Sequence, residues 1–293
     1  MVIVAVVCAA LLVGVLGGIV YRRCKARQLP DASIHLCIPF AEPVLFGTED
    51  VTREYEAIWG KEVACERATE PSAAVDGAPT YVVRARGHSL RLIASPSSLR
   101  PDLTETAIQG VPDLDASAID ALRQHRGHIM LSYLSGLDRP RERAAFCAEV
   151  LFTLLKKHGA LGYVDIPAML YRSKTGADSS LAREELLDDV ELFFLLVNTH
   201  SVDMETSFWI HTHGMEQFGC PDLQVSFRDE DQHSYYRDLI SNAAAYMIER
   251  GPILKPGHTA ELAGDGIIYR IKPVKPDRDH PFGRYGAIEL VPD

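Results

Sequence analysis

Residues 2–21 carry no charge and are almost entirely Val, Ala, Leu, Ile and Gly, and Arg22, Arg23, Lys25 and Arg27 follow at once. A helix rising ~1.5 Å per residue crosses the ~30 Å hydrocarbon core of a bilayer in a run of this length. A cleaved signal peptide carries its basic residues ahead of the apolar run and a small-x-small site behind it. Here nothing basic precedes Val2, and the run ends in Tyr21-Arg22-Arg23. The segment therefore reads as a retained single-pass anchor in the cell membrane, with the rest of the chain held in the cytoplasm by its basic collar. That sets residues 1–27 apart, and a packed core has to be built from residue 28 onward.

Charge narrows the partners of that remainder. Thirty basic side chains, four of them in the collar, stand against forty acidic ones. A domain this acidic offers no footprint to nucleic acid, and anionic lipid repels it everywhere except at the collar, so the membrane is reached through residues 2–21. The six cysteines (Cys8, Cys24, Cys37, Cys65, Cys147 and Cys220) form no Cys-x-x-Cys pair, which suits a reducing compartment better than a disulfide framework.

Breakers and periodicity divide the remainder into residues 28–115 and 116–293. In the first part, residues 35–38 read as a short strand and 51–59 as a helix. Residues 80–94 read as a hairpin turning at Gly87-His88, between loops at 69–79 and 95–102. No acid–base pair or ligand cluster is visible there. The second part holds a β-α-β unit. Residues 128–135 read as a strand, followed by a helix capped by Asp138 with Pro140 in its first turn. Cys147, Val150, Leu151 and Leu154 form the buried face of that helix, His158 continues it, and Gly159 stops it. Glu149 falls on the opposite face, where Glu149→Ala is expected to cost little. Residues 161–166 supply the second strand, 184–189 an acidic surface helix, and 192–199 an apolar strand. A helix beginning near Asp229 aligns Tyr236, Leu239, Ile240, Ala243 and Met247, and a hairpin through Asp265-Gly266 precedes a last strand at 287–291. The class that follows is α+β: one mixed sheet with helices on one face, preceded by the transmembrane helix.

The densest chemistry lies in residues 208–223, Phe-Trp-Ile-His-Thr-His-Gly-Met-Glu-Gln-Phe-Gly-Cys-Pro-Asp-Leu. A strand through His213 puts His211 and His213 on one face, Gly214 frees the backbone to turn, and Gly219 with Pro221 closes a loop before the next strand. His211, His213, Asp222, Glu216 and Cys220 are the candidate pocket. The run Trp209-Ile-His-Thr-His-Gly-Met-x-x-Phe-Gly-x-Pro-Asp-Leu223 resembles the signature of an uncharacterised bacterial family known only as a domain of unknown function. The likeness extends from about His128 to the C-terminus, and implies a shared fold without an activity, substrate or catalytic residue.

Two function classes remain. The first is a tethered binding or scaffolding module without catalysis. The second is a metal-dependent hydrolase in which His211, His213 and Asp222 hold a divalent ion, His200 or His233 adds a ligand, and Glu205 or Glu216 serves as base. The arrangement also resembles the His-x-His…Asp core of the JAMM-type isopeptidases, departing from it in lacking a Ser-x-x-Asp after the turn and in an early final Asp. Cys220 beside His213 reads as a small filler of the loop.

Overall fold

Alternation along the first described strand sets the layering of the molecule. The computed structural model describes residues 34–44, 47–69, 78–111, 114–135, 139–175, 189–275 and 285–293. In it, β1 (His35–Phe40) sends Leu36, Ile38 and Phe40 into the main core and Cys37 into a second, smaller one. The expected anchor, its collar, the cap Asp138 and most of the acidic helix at 184–189 lie outside the described residues. Among the described residues, no helix is long and apolar enough to cross a membrane.

Two sheets, not the single mixed sheet expected, carry the fold. The first contains β1, β2 (Ala64–Arg67), β3 (Thr80–Ala85), β4 (His88–Ser95), β5 (Gly127–Ser135), β6 (Gly162–Asp165) and β7 (Leu170–Ser173) in the order β2-β3-β4-β5-β1-β6-β7. All of its pairs are antiparallel. The ladders β4–β5 and β1–β5 join strands on either side of residue 115 into this one sheet, and residues 34–293 form one compact unit. The β-α-β unit is present as β5, α4 (Pro140–Leu155) and β6, with β1 inserted between the two strands it connects.

The second sheet contains β8 (Asn198–Met204), β9 (Ser207–His213), β10 (Asp222–Phe227), β11 (Thr259–Glu261), β12 (Ile268–Pro273) and β13 (Ala287–Pro292) in the order β11-β12-β13-β10-β9-β8. Only its β10–β13 pair is parallel.

Helices cover the first sheet on both faces, which corrects the one-sided arrangement. Helices α2 (Pro101–Gln109) and α3 (Ala116–Arg123), not foreseen in the sequence, bring Ala107 and Leu122 against Cys37, Val164 and Tyr171. On the other face the main core joins α1 (Thr48–Trp59), α4, α5 (Asp189–Leu196) and α6 (His233–Arg250) to residues of both sheets. Helix α4 is buried all round, including Glu149, because sheet strands, α1 and α5 close on different sides of it. It ends at Leu155, one turn before His158, and Gly159 (φ +81°) belongs to the turn that follows. The apolar run expected as a strand at 192–199 is instead the end of α5 followed by β8. Leu192, Phe193, Leu195 and Leu196 are all buried where α5 packs against α4 and α6, and a run apolar on every side has no period to separate strand from helix.

Candidate functional site

Strand β9 divides the motif between two environments. Ile210 and Thr212 are fully buried on one parity, and Phe208 stacks on Phe227, which stacks in turn on Tyr236 of α6. Trp209, His211 and His213 take the other parity. Pairing with β8 sets His200 opposite His211 and Asn198 opposite His213, so a third imidazole joins the first two. The rings of Trp209 and His211 stack at 3.9 Å, and His200 stacks on His211 at 5.3 Å. His213 stands edge-on to His211 at 4.8 Å and to His200 at 5.1 Å. The Nε2 atoms of His211 and His213 lie 3.1 Å apart, so one ring donates to the other and at least one accepting nitrogen is unprotonated. Burial lowers the pKa of His200, whose Nε2 is 2.8 Å from the Asn198 amide nitrogen.

The loop after β9 is tied to the protein by the other polar residues of the motif. Gly214 has φ +106°, and a Cβ there would stand 2.5 Å from the Leu196 carbonyl oxygen and 2.9 Å from the Ala168 Cβ. Gln217, fully buried in the 3₁₀ turn Met215–Phe218, donates at 2.8 Å to both Asp165 Oδ2 and the Leu196 carbonyl, and Arg143 donates at 2.9 Å to its backbone oxygen. Asp222 Oδ1 accepts from Thr212 Oγ1 at 3.1 Å and from the Met215 amide at 3.2 Å. Thr212 Oγ1 in turn accepts from the Leu223 amide at 2.9 Å. The carboxylate of Asp222 is thus a clasp that holds the turn. The same strand sets Gln224 opposite His211, so Asp222, two residues earlier, falls at the level of His213.

The remaining candidates lie elsewhere. Cys220 is fully buried and donates to the Met247 carbonyl of α6 at 3.5 Å, and burial pushes its thiol up to about 12, so it packs as a filler of the loop. Glu216 is half-buried on the 3₁₀ turn, close enough for its charge to act on His35 and Asp165. His233 bonds Ser201 Oγ through its Nε2. Among the described residues, no group of three or more His, Cys, Asp or Glu side chains is placed to hold a metal ion.

A cavity of about 420 Å³ opens beside β8, the edge strand of the second sheet, where it faces β7, the edge strand of the first. Asn198 anchors its floor: its amide nitrogen lies 3.0 Å from the Gly110 carbonyl and 3.2 Å from that of Met169. Gly110 is required there, because a Cβ would stand 1.9 Å from the Met169 oxygen.

A second polar cluster had no signal in the sequence. Glu149, 1 % exposed, accepts from the Tyr55 hydroxyl, from Lys61 Nζ at 2.6 Å and from the Arg86 guanidinium. Arg86 adopts φ +51° in the β3–β4 turn, and its Nη2 also reaches the Tyr55 hydroxyl at 3.2 Å. A smaller cavity of about 280 Å³ lies against this cluster, reached also by His88, Arg141 and Glu142. Residues 28–115, where the sequence shows no acid–base pair or ligand cluster, thus supply three of the four members of this charged network.

Comparison with known proteins adds one finding. A family model described as a domain of unknown function (DUF4261) matches residues 211–276, from the first motif histidine through β12. No curated protein and no solved structure matches the chain.

Proposed function

We propose that this chain is a membrane-tethered binding module, anchored through residues 2–21 with its folded domain on the cytoplasmic side, and that it meets its ligand at the edge of the second sheet where His200, His211 and His213 gather. The observation that carries this reading is the 420 Å³ cavity beside β8, into which His200 of that cluster faces. Its size lies at the lower end of the ~300–1,000 Å³ usual for small-molecule sites. Edge positions of this kind suit recognition, because they present side chains from a rigid sheet without breaking its ladder.

The competing reading is a metal-dependent hydrolase. The 3.1 Å between the Nε2 atoms of His211 and His213 suits two ligands of one tetrahedral ion. Against it, a catalytic ion needs a third protein ligand and an open water position, and Asp222 Oδ1 is already engaged by Thr212 and the Met215 amide.

Metal analysis of the full chain, purified in detergent without chelator, separates the two. Stoichiometric zinc, manganese or iron lost in a His211→Ala/His213→Ala double variant would overturn the binding-only reading. The topology is tested separately by a reporter active only outside the cytoplasm, fused after Asp293: it should stay silent, and activity would reverse the proposed orientation.

A further inference from the structure

We infer that the cavity between β7 and β8 is a phosphate site, taking the phosphate monoester of a small molecule; this rests on the reading of that edge as the ligand-binding surface. The argument starts from charge. The chain carries ten more acidic than basic groups, and arginines elsewhere in the described residues are commonly spent on carboxylates, as in Arg84–Glu66, Arg123–Glu105 and Arg270–Asp293. The cavity wall departs from that pattern. Among the described residues it includes Arg172 of β7 and Arg237 of α6, and no aspartate or glutamate. Neither arginine forms an ion pair among the described residues. Arg172 donates through Nη2 to the Phe194 carbonyl, a contact that fixes the guanidinium and leaves its charge uncompensated.

The polar groups between the two arginines are of the kind that complete phosphate recognition. Thr199 and Ser201 present hydroxyls from β8, and His233 stands one helical turn before Arg237 with its ring already bonded to Ser201. The described acids nearest to these residues in sequence, Asp203, Asp231 and Asp238, are exposed and lie outside the wall. Two unpaired guanidiniums offer the forked donors that match phosphate oxygens. A volume of about 420 Å³ is larger than a phosphate group alone needs, which leaves room for the molecule that carries it.

The test uses the full chain in neutral detergent, titrated calorimetrically with inorganic pyrophosphate. Saturable binding is expected, weakened about tenfold or more by Arg237→Ala, the loss of one charge-assisted hydrogen bond, and relieved by added salt. Arg237 is exposed and its replacement leaves the fold intact, which keeps the test valid should Arg172→Ala prove unstable. Arg84→Ala, near the far edge of the first sheet, should bind as the wild type does. No saturable heat, or an equal loss in Arg84→Ala, overturns the site. Glycerol 3-phosphate and a soluble short-chain phosphatidic acid then distinguish a free ester from a lipid headgroup as the source. A neutral or cationic small molecule that copurifies with the chain and is lost in Ser201→Trp, without pyrophosphate binding, would overturn the phosphate assignment and leave the binding module standing. Absence of both would remove the two together.

Discussion

Replacing Glu149 by alanine tests the internal charge network most directly, because periodicity alone puts this residue on the outside of α4. Three donors converge on its carboxylate, and they do not respond alike to its loss. The Lys61 and Arg86 side chains are 42 % and 45 % exposed, so both can turn to water, and each pair contributes at most about 1 kcal/mol. Tyr55 is fully buried and cannot. Its hydroxyl would keep only the 3.2 Å contact with Arg86, itself released once the carboxylate is gone. Stranding it costs about 1–3 kcal/mol. The sum, about 1–5 kcal/mol, overlaps the ~2–5 kcal/mol expected for Leu151→Ala in the same helix. Glu149→Gln, which retains an acceptor for Tyr55 while losing the charge, should fall between wild type and alanine. Urea denaturation of the full chain in detergent, comparing midpoints at unchanged slope, reads these differences. An alanine variant within ~0.5 kcal/mol of wild type, as expected for an ordinary surface position, would show that the network does not tie α1 and the β3–β4 turn to α4.

Two further outcomes follow from buried groups near the motif. Burial pushes the Asp165 carboxyl up to about 7, with the Gln217 and Ala168 hydrogen bonds opposing the shift and the Glu216 charge adding to it. The folded state then holds a proton that the unfolded chain has released, so this group's contribution is fully present near pH 4 and declines as pH rises toward 7, by at most about 1.4 kcal/mol per pH unit. Asp165→Asn should flatten that decline in stability-versus-pH curves; identical slopes for the two proteins would refute the assignment. Gly214→Ala combines a left-handed φ with a 2.5 Å approach to the Leu196 oxygen, and should cost more than the ~1–3 kcal/mol of backbone strain alone. A melting temperature unchanged by that substitution would mean that the loop enters the core by a different path.

What residues dictate to their near neighbours was legible in the chain. The 80–94 hairpin, the β5–α4–β6 unit, the core face of α6 and the common face of His211 and His213 all rest on periods of two or 3.6 and on breakers a few residues away. The turn at Gly214 belongs with them, because a conformation that only glycine adopts easily is written into the residue itself. What the tertiary structure decided was which element faces which. It made a helix of residues 189–196 by enclosing them between α4 and α6, and two sheets where strand patterns alone allowed one. It also set His200 against His211 through the β8–β9 register. Glu149 shows the limit most clearly: its partners lie 63 to 94 residues away in sequence, on α1, on the segment after it and on the β3–β4 turn. A helical period reports only that a residue lies opposite the apolar stripe. Whether water or a second layer of protein waits there is settled by contacts that no local pattern encodes.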